Sequence, residues 1–392
     1  MHNYSISKLL GLKGLRVKNI SHSDSTVKIY VTTNKRSHPC PRCDSMTSRV
    51  HDYRNQVIKD IPISAKYALL ILKKRRYACA FGKRFHETYS FLPKYQRKTN
   101  RLNAYICSQL AKSIPVTTIA KDLNLSPTTV TRIFDLVYYP KLSRLPKVLS
   151  IDEFKGNAET GKYQCILVDP VKKRVLDIIE DRRQHCLVDY FKSIPRFERN
   201  KVKFFVCDMW PQYAEIARIF FPNAKIIVDK YHFIRQVTWA IENVRKRVQK
   251  SMPAQLRRYF KRSRSLILRR NHKLSNEDRE RLDNMLLYND DLRTAYQLKE
   301  KFYTICKTEK YSEQRKAYSE WIKYAESLHI PEFKTCITAF RNWYKEILNA
   351  FKYGYTNGPT EGFNNKIKVL KRTSYGVKNF SRFRNRILHI CN

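Results

Sequence analysis

Three acidic residues stand where the chain's patterning would let them share one site. Asp152 closes the apolar run VLSID, Asp208 closes KFFVCD, and Glu361 follows the turn NGPT. Carboxylate oxygens suit hard divalent cations, which prefer oxygen ligands and need part of their charge balanced. Two such cations about 3.5–4 Å apart activate the attacking oxygen and stabilise the leaving oxygen in phosphodiester cleavage and strand transfer. A lone Asp at a strand end is commonplace, whereas three acids delivered to one edge would define a reaction. The chemistry therefore rests on whether the intervening elements bring them together.

From Lys147 the elements read as a route to that edge. VLSID, YQCILVD and RVLDIIE follow as three strands, then a helical segment, KFFVCD, another helix, KIIVD, and a long helix beginning near Tyr231. Nearly continuous apolar runs mark strands covered on both faces. The order β-β-β-α-β-α-β predicts an RNase H-like mixed sheet, multidomain α+β and α/β overall, in which the first and fourth strands lie side by side. Asp152 and Asp208 would then meet. Asn357-Gly358-Pro359 makes a turn into a helix, and on it Glu361, Asn364, Asn365 and Lys368 fall on or near one face, being three, four and seven positions apart. Glu153 should point to the opposite face of its strand from Asp152. Asp169 and Asp177 belong at a turn or on the solvent side.

A second ligand set is soft. Cys40 and Cys43 form a CxxC pair in HPCPRC, and Cys79 lies on the following hairpin, which suits a zinc ribbon with tetrahedral thiolates. Ribbons of this type usually carry a second CxxC, but the run Cys79-Ala80-Phe81-Gly82-Lys83-Arg84-Phe85 has lost one cysteine. His86 or His51 is the available substitute. A zinc site and a metal-free hairpin both remain open readings. The other cysteines are scattered, against a secreted disulfide framework and for reduced thiols.

Residues 104–138 include SIPVTTIAKDLNLSPTTVTRIFDLV, a helix-turn-helix pattern. Ile119, Ala120 and Leu123 face a core, Asn124-Leu125 makes the turn, and Ser126 caps a second helix whose first position is Pro127. In that helix Val130 and Ile133 point inward. Thr128, Thr129, Thr131 and Arg132 are then left for phosphates or base edges.

Net charge says what kind of partner these elements serve. Among 392 residues, 78 Lys and Arg oppose 34 Asp and Glu, a formal charge of +44. Such self-repulsion is costly unless a polyanion is the usual partner, which points to nucleic acid. A membrane surface fits less well, because neither a signal-peptide core nor a spanning apolar run is evident, and the chain reads as soluble and intracellular. With 42% hydrophobic and 12% aromatic residues it has material for real cores, unlike a bland basic protein. Residues 245–345 read as a helical insertion crowded with Arg257, Arg258, Lys261, Arg262, Arg264, Arg269 and Arg270, cations that look almost unpaired. A solvated helix face and contact with DNA backbone are both readings of that run.

With these features assembled, the sequence resembles the DDE insertion-sequence transposases of the ISL-three group. SIDEF at 150–154, VCDMWPQYAEIARIFFPNAKIIVDKYHFI at 206–234, TNGPTEGFNNKIKVLKR at 356–372 and the CPRC ribbon carry the resemblance over nearly the whole chain. It implies a metal-dependent DNA-cleaving and strand-transferring enzyme with Asp152, Asp208 and Glu361 as its triad, holding two Mg²⁺ or Mn²⁺. Lys368 matches a lysine that follows the glutamate in many such enzymes. Asp229 and His232 are similar to a C/D-x-x-H signature of families with helical insertions, a structural or supporting pair, as Asn365 would be near Glu361. The resemblance further implies double-stranded DNA partners, namely the element's terminal inverted repeats and a target, a homodimer or higher assembly on DNA, and a bacterial cytoplasmic, nucleoid-associated location. The domain expectation is a zinc-ribbon-like region at 1–95, helix-turn-helix at 96–145, catalytic core at 146–244, basic helical insertion at 245–350, and the last catalytic helix at 351–392. The competing reading is a catalytically silent, domesticated DNA-binding regulator. A structure-specific nuclease on the same fold would not need the end-reading ribbon and helix-turn-helix.

Overall fold

The computed structural model describes residues 7, 11, 14, 15–156, 160–262, 264–374 and 376–392, without the side chains of residues 259, 261 and 262. The chain divides into two compact units. One comprises Met1–Tyr139, Lys368–Val377 and Ser381–Cys391, the other Pro140–Ile367, Lys378–Phe380 and Asn392.

In the first unit, alternating apolar residues build strands β1 (Leu15–His22), β2 (Thr26–Thr33), the short pair β3 (His38–Pro39) and β4 (Met46–Thr47), β5 (Val50–Ile63), β6 (Lys66–Ala78) and β7 (Arg84–His86). The order is β1-β2-β6-β5, with β7 paired to β6. Residues two apart share a face, so Ile29 and Val31 of β2 join Leu70 and Leu72 of β6 in one core with Leu15, Val17 and Ile58. A two-residue turn of Ser64 and Ala65, both at positive φ, joins β5 to β6, the backbone twist that tight hairpins favour. Helices α1 (Asn100–Leu110), α2 (Val116–Asp122) and α3 (Pro127–Phe134) follow and bury Leu102, Ile106, Ile119, Ala120, Val130 and Ile133 together.

The second unit is built on β8 (Val148–Lys155), β9 (Tyr163–Asp169), β10 (Arg174–Ile179), helices α4 (Gln184–Lys192) and α5 (Arg196–Arg199), β11 (Phe204–Cys207), α6 (Pro211–Phe220), β12 (Lys225–Val228) and α7 (Lys230–Lys250). Its sheet order is β10-β9-β8-β11-β12. β8, β9 and β10 form an antiparallel meander, and β11 lies parallel to both β8 and β12. The expected adjacency of the first and fourth strands of this sheet is thus present, in register Val206↔Ser150. One face packs Leu149, Ile151, Phe205 and Cys207 against Leu187 and Phe191 of α4 and Tyr213 and Ala217 of α6. The other packs Val148, Val206 and Ile227 under Tyr353 and Tyr355. At about 1.5–3 kcal/mol for each fully buried large apolar side chain, this two-sided cover fixes the strand ends from which the acids project.

Helices α8 (Ala254–Arg262) through α14 (Tyr344–Tyr353) form the expected strand-free stretch, followed by α15 (Gly358–Thr373) and α16 (Phe380–Cys391). The cations here are not as unpaired as the sequence suggested. Arg264 pairs with Glu242 at 3.0 Å and Arg269 with Asp278 at 2.7 Å, because acids on α7 and α10 (Asn276–Leu286) fold back onto them. Asp177 likewise departs from expectation. It is buried and accepts the Tyr190 hydroxyl at 2.7 Å, whereas Asp169 does cap its turn through the Val171 and Lys172 amides.

Candidate active site and DNA-binding elements

Asp152 lies within β8, which runs on through Glu153, Phe154 and Lys155 instead of ending at the acid, and Asp208 lies just past β11 on the neighbouring strand. Both carboxylates are half-buried. For Asp152, burial is the largest influence and, with Glu153, Asp229 and Glu361 nearby, lifts its carboxyl to about 7, although the Glu153 amide donates to it at 2.8 Å and opposes the rise. For Asp208, burial again leads, then Glu153 and Asp152, and its carboxyl also rises to about 7. The Trp210 amide at 3.1 Å and the nearby Arg182 guanidinium pull the other way. The charge of Glu361 thus reaches Asp152, and that of Asp152 reaches Asp208.

The helix carrying Glu361 is fastened to the same strand. Asn364 of α15 donates its amide to Asp152 Oδ2 at 3.0 Å. Ser150 contacts Thr360 at 3.1 Å and donates to the Asn357 side-chain oxygen, while the Asn357 amide nitrogen reaches the Ile151 carbonyl at 3.3 Å. Glu361 itself is exposed, one turn before Asn364, and Asn365 and Lys368 are exposed on the same helix. No three carboxylates among the described residues have oxygens all within 4.8 Å of one another. A pair of ions asks less than that, since each ion needs only part of the set. The donors present fit hard cations: the Asp152 and Asp208 carboxylates on neighbouring strands, both with raised pKa values, beside an Asn364 Oδ1 that is buried with no hydrogen-bond partner.

Around these acids lie Arg182, Tyr163, Trp210 and Tyr213, which the sequence alone did not single out. Glu153 points across the strand from Asp152 and accepts the Tyr213 hydroxyl at 3.0 Å and the Arg182 guanidinium at 2.7 Å. Arg182 in turn lies 4.3 Å from the Tyr163 ring centroid and 4.8 Å from that of Trp210. No spacing in the sequence announces this bracket, because its members come from β8, β9, β10's following loop and α6. Asp229 caps α7 by accepting the Tyr231 amide at 3.1 Å, and its other oxygen takes the Asn357 amide at 2.7 Å. The His232 ring is not a described partner of that carboxylate, and its backbone amide donates to the Asp229 carbonyl. Burial, ahead of the opposing pull of Asp229, holds the His232 imidazole below its usual pKa.

In the ribbon, Cys40, Cys43 and Cys79 place their sulfurs within 4.8 Å of one another. Two turns aim them. The Asp44 amide donates to the Cys40 carbonyl, and the Gly82 amide donates to that of Cys79 with Gly82 at φ 77°. His86 is not in this group. It lies on β7 and lines a cavity with Arg54, Lys74 and Arg97, where burial and then Lys74 lower its pKa. His51 pairs with Asp52 instead.

The helix-turn-helix is α2 and α3, with Asn124 at φ 49° in the turn and Ser126 accepting the Thr129 amide at 3.2 Å as the cap. Thr128 and Arg132 are exposed. The Thr129 hydroxyl instead contacts Ser126 and the Thr131 hydroxyl donates to the Pro127 carbonyl, so both are engaged within the helix. In the basic insertion Arg257 donates to the Lys250 and Met252 carbonyls, Arg258 is exposed, and the Arg262 side chain lies outside the described residues.

Comparison with known proteins agrees with this arrangement segment by segment. A zinc-finger model of insertion-sequence transposases matches residues 36–81, a helix-turn-helix model of transposase family ISL3 matches 87–138, and a transposase model of the same family matches 149–387. The transposase for insertion sequence element IS1001 of Bordetella parapertussis is 28% identical over 391 residues, covering 95% of this chain and 94% of that protein. A Lactococcus lactis subsp. lactis protein described as an ATP-dependent protease is 34% identical over 108 residues, 27% of this chain and 33% of its own length. The catalytic match spans the sheet, the insertion and the helix of Glu361, and the two smaller matches fall on the ribbon and the helix-turn-helix, so the chain belongs to the ISL3 family of insertion-sequence transposases, enzymes that cleave DNA and transfer its strands.

Proposed function

We propose that Asp152, Asp208 and Glu361 are the catalytic triad of this transposase. The observation that carries the reading is the parallel pairing of β8 with β11, which sets Asp152 and Asp208 on adjacent strands and close enough for the Asp152 charge to be felt at Asp208. Two Mg²⁺ or Mn²⁺ ions held by these three acids would supply activation of the attacking oxygen and stabilisation of the leaving oxygen. The chain's own groups do the holding: Asn364 orients Asp152, the Trp210 amide orients Asp208, and the Asn357 turn fixes where Glu361 enters. The strand order β10-β9-β8-β11-β12, a meander continued by two parallel strands, supports an RNase H-like core, interrupted by the helical insertion.

The remaining assignments follow the same architecture. The thiols of Cys40, Cys43 and Cys79 suit one Zn²⁺, a soft-ligand set that restrains the knuckle. The domain division at 95, 145, 244 and 350 is part of this reading, supported by separate matches on the ribbon, 36–81, and the helix-turn-helix, 87–138, and by a strand-free helical stretch between α7 and α15. Double-stranded DNA is the partner, read at the element's ends by the ribbon and helix-turn-helix, with two copies pairing two ends in the bacterial cytoplasm. No helix of the described residues is long and apolar enough to cross a membrane.

Asp152→Asn, Asp208→Asn and Glu361→Gln test the triad on a labelled duplex carrying the element's end, with Mg²⁺ or Mn²⁺, beside a binding measurement on the same preparations. Each substitution keeps the side chain's shape and removes the charge that balances the cations. Cleavage and joining should fall at least about 1000-fold, in line with the several kcal/mol a metal ion supplies, while binding stays near wild type. Cleavage at the wild-type rate by any one variant removes that residue from the triad.

A further inference from the structure

Helix α7 leaves the catalytic edge carrying one exposed stripe that its own packing does not use. Its buried positions include Phe233, Val237, Ile241 and Val244, and four-residue steps on the opposite side leave Tyr231, Arg235, Trp239 and Asn243 exposed, with Lys246 and Lys250 beyond. Tyr231 is 61% exposed and Trp239 48%, so two large rings stand in solvent on a helix whose inner face already has its core. The Arg235 guanidinium lies over the Trp239 ring, 4.2 Å from its centroid, and the Tyr231 ring packs edge-on to His232 at 5.6 Å. The stripe carries cations and no acid: Glu242 is buried on the inner side, where Arg245 and Arg264 hold it.

We infer that this stripe is a stacking platform for unpaired bases of a DNA strand at the catalytic edge. Aromatic rings interleaved with cations are what single-stranded nucleic acid needs, a π-face for each base and positive charge for the backbone. A fully paired duplex offers its phosphates but not its base faces, so rings exposed on a cationic stripe gain most from bases that have left the stack. The stripe's start fixes its place. Tyr231 donates its amide to Asp229, whose charge is felt at Asp152, and from Tyr231 to Trp239 the helix rises about 12 Å. That is the length of about three to four stacked nucleotides at 3.4 Å each. The inference rests on the transposase reading and adds that bases are unpaired where strands are cut and joined.

The test uses the full chain, without divalent metal, and two fluorescein-labelled probes: a fifteen-nucleotide oligo-dT and a fifteen-base-pair duplex. Trp239→Ala and Tyr231→Ala should each weaken oligo-dT binding about tenfold, the scale of losing one base–aromatic stack, and duplex binding less than about twofold. Trp239→Phe should restore most of the loss, since a ring remains, and excludes misfolding as its cause. Equal weakening on both probes would overturn the inference by making the stripe a surface for backbone alone. So would unchanged oligo-dT binding, or a change confined to self-association, which would make the stripe an interface between copies. If wild type binds neither probe, the DNA-binding reading falls and this inference with it. Duplex binding without oligo-dT binding overturns the inference alone.

Discussion

Asp229 holds two elements with one side chain, capping α7 through the Tyr231 amide and receiving the buried Asn357 amide of the turn into α15. Its position, between the strand end and the Glu361 helix, makes it a geometric support of the carboxylates more than a ligand in its own right. Asp229→Ala removes the cap, about 1 kcal/mol, and leaves a buried N–H without an acceptor, about 1–3 kcal/mol. The expected loss, about 2–4 kcal/mol in chemical denaturation, should exceed that of Asp229→Asn, which retains an acceptor oxygen. An Asp229→Ala protein as stable as wild type would remove the residue from this role. The signature that paired Asp229 with His232 in the sequence does not show that each carboxylate oxygen also accepts a backbone amide.

At the scale of elements, the ribbon and the helix-turn-helix make separate predictions. Three thiols within reach of one ion should hold at most one Zn²⁺ per chain, lost in Cys40→Ser or Cys79→Ser, as read by metal analysis of protein purified without chelator. Undiminished zinc in both variants would place the metal elsewhere. The fourth ligand was open in the sequence, and His86 drops out because β7 carries it to a cavity with Arg54, Lys74 and Arg97. In α3, Arg132 is exposed while the Thr129 and Thr131 hydroxyls are engaged by the helix itself. Arg132→Ala should therefore weaken binding to the element's end by about 1–3 kcal/mol if it reads a base edge, with a smaller change on unrelated duplex. Equal loss on both DNAs would make it a phosphate contact.

At the scale of the molecule, a net charge of +44 makes salt the strongest lever on DNA binding. The logarithm of the affinity for unrelated duplex should fall linearly with the logarithm of salt concentration, and each lost phosphate contact should reduce the slope by about 0.9. Arg258, exposed on α8, is expected to show that change on replacement by Ala. Arg264 is not, because its guanidinium is committed to Glu242, and Arg264→Ala should appear instead as lost stability. A slope unchanged by Arg258→Ala would remove this part of the insertion from the DNA surface.

What the sequence determined by itself is the local grammar: apolar runs that must be strands, a capped helix after Asn124-Leu125, a CxxC knuckle, and acids at the ends of two runs. These follow from short-range rules of burial, backbone preference and spacing, which is why the strand order and the helix-turn-helix were legible. Tertiary structure alone decided which of those residues are engaged. The Glu153–Arg182–Trp210 bracket, the Asn364 amide on Asp152, the buried Asp177 and the acids that neutralise Arg264 and Arg269 all join residues on different elements. Such pairings depend on how twisted strands and packed helices converge in space, and a one-dimensional pattern records a side chain's type and face but not the partner that folding brings to it.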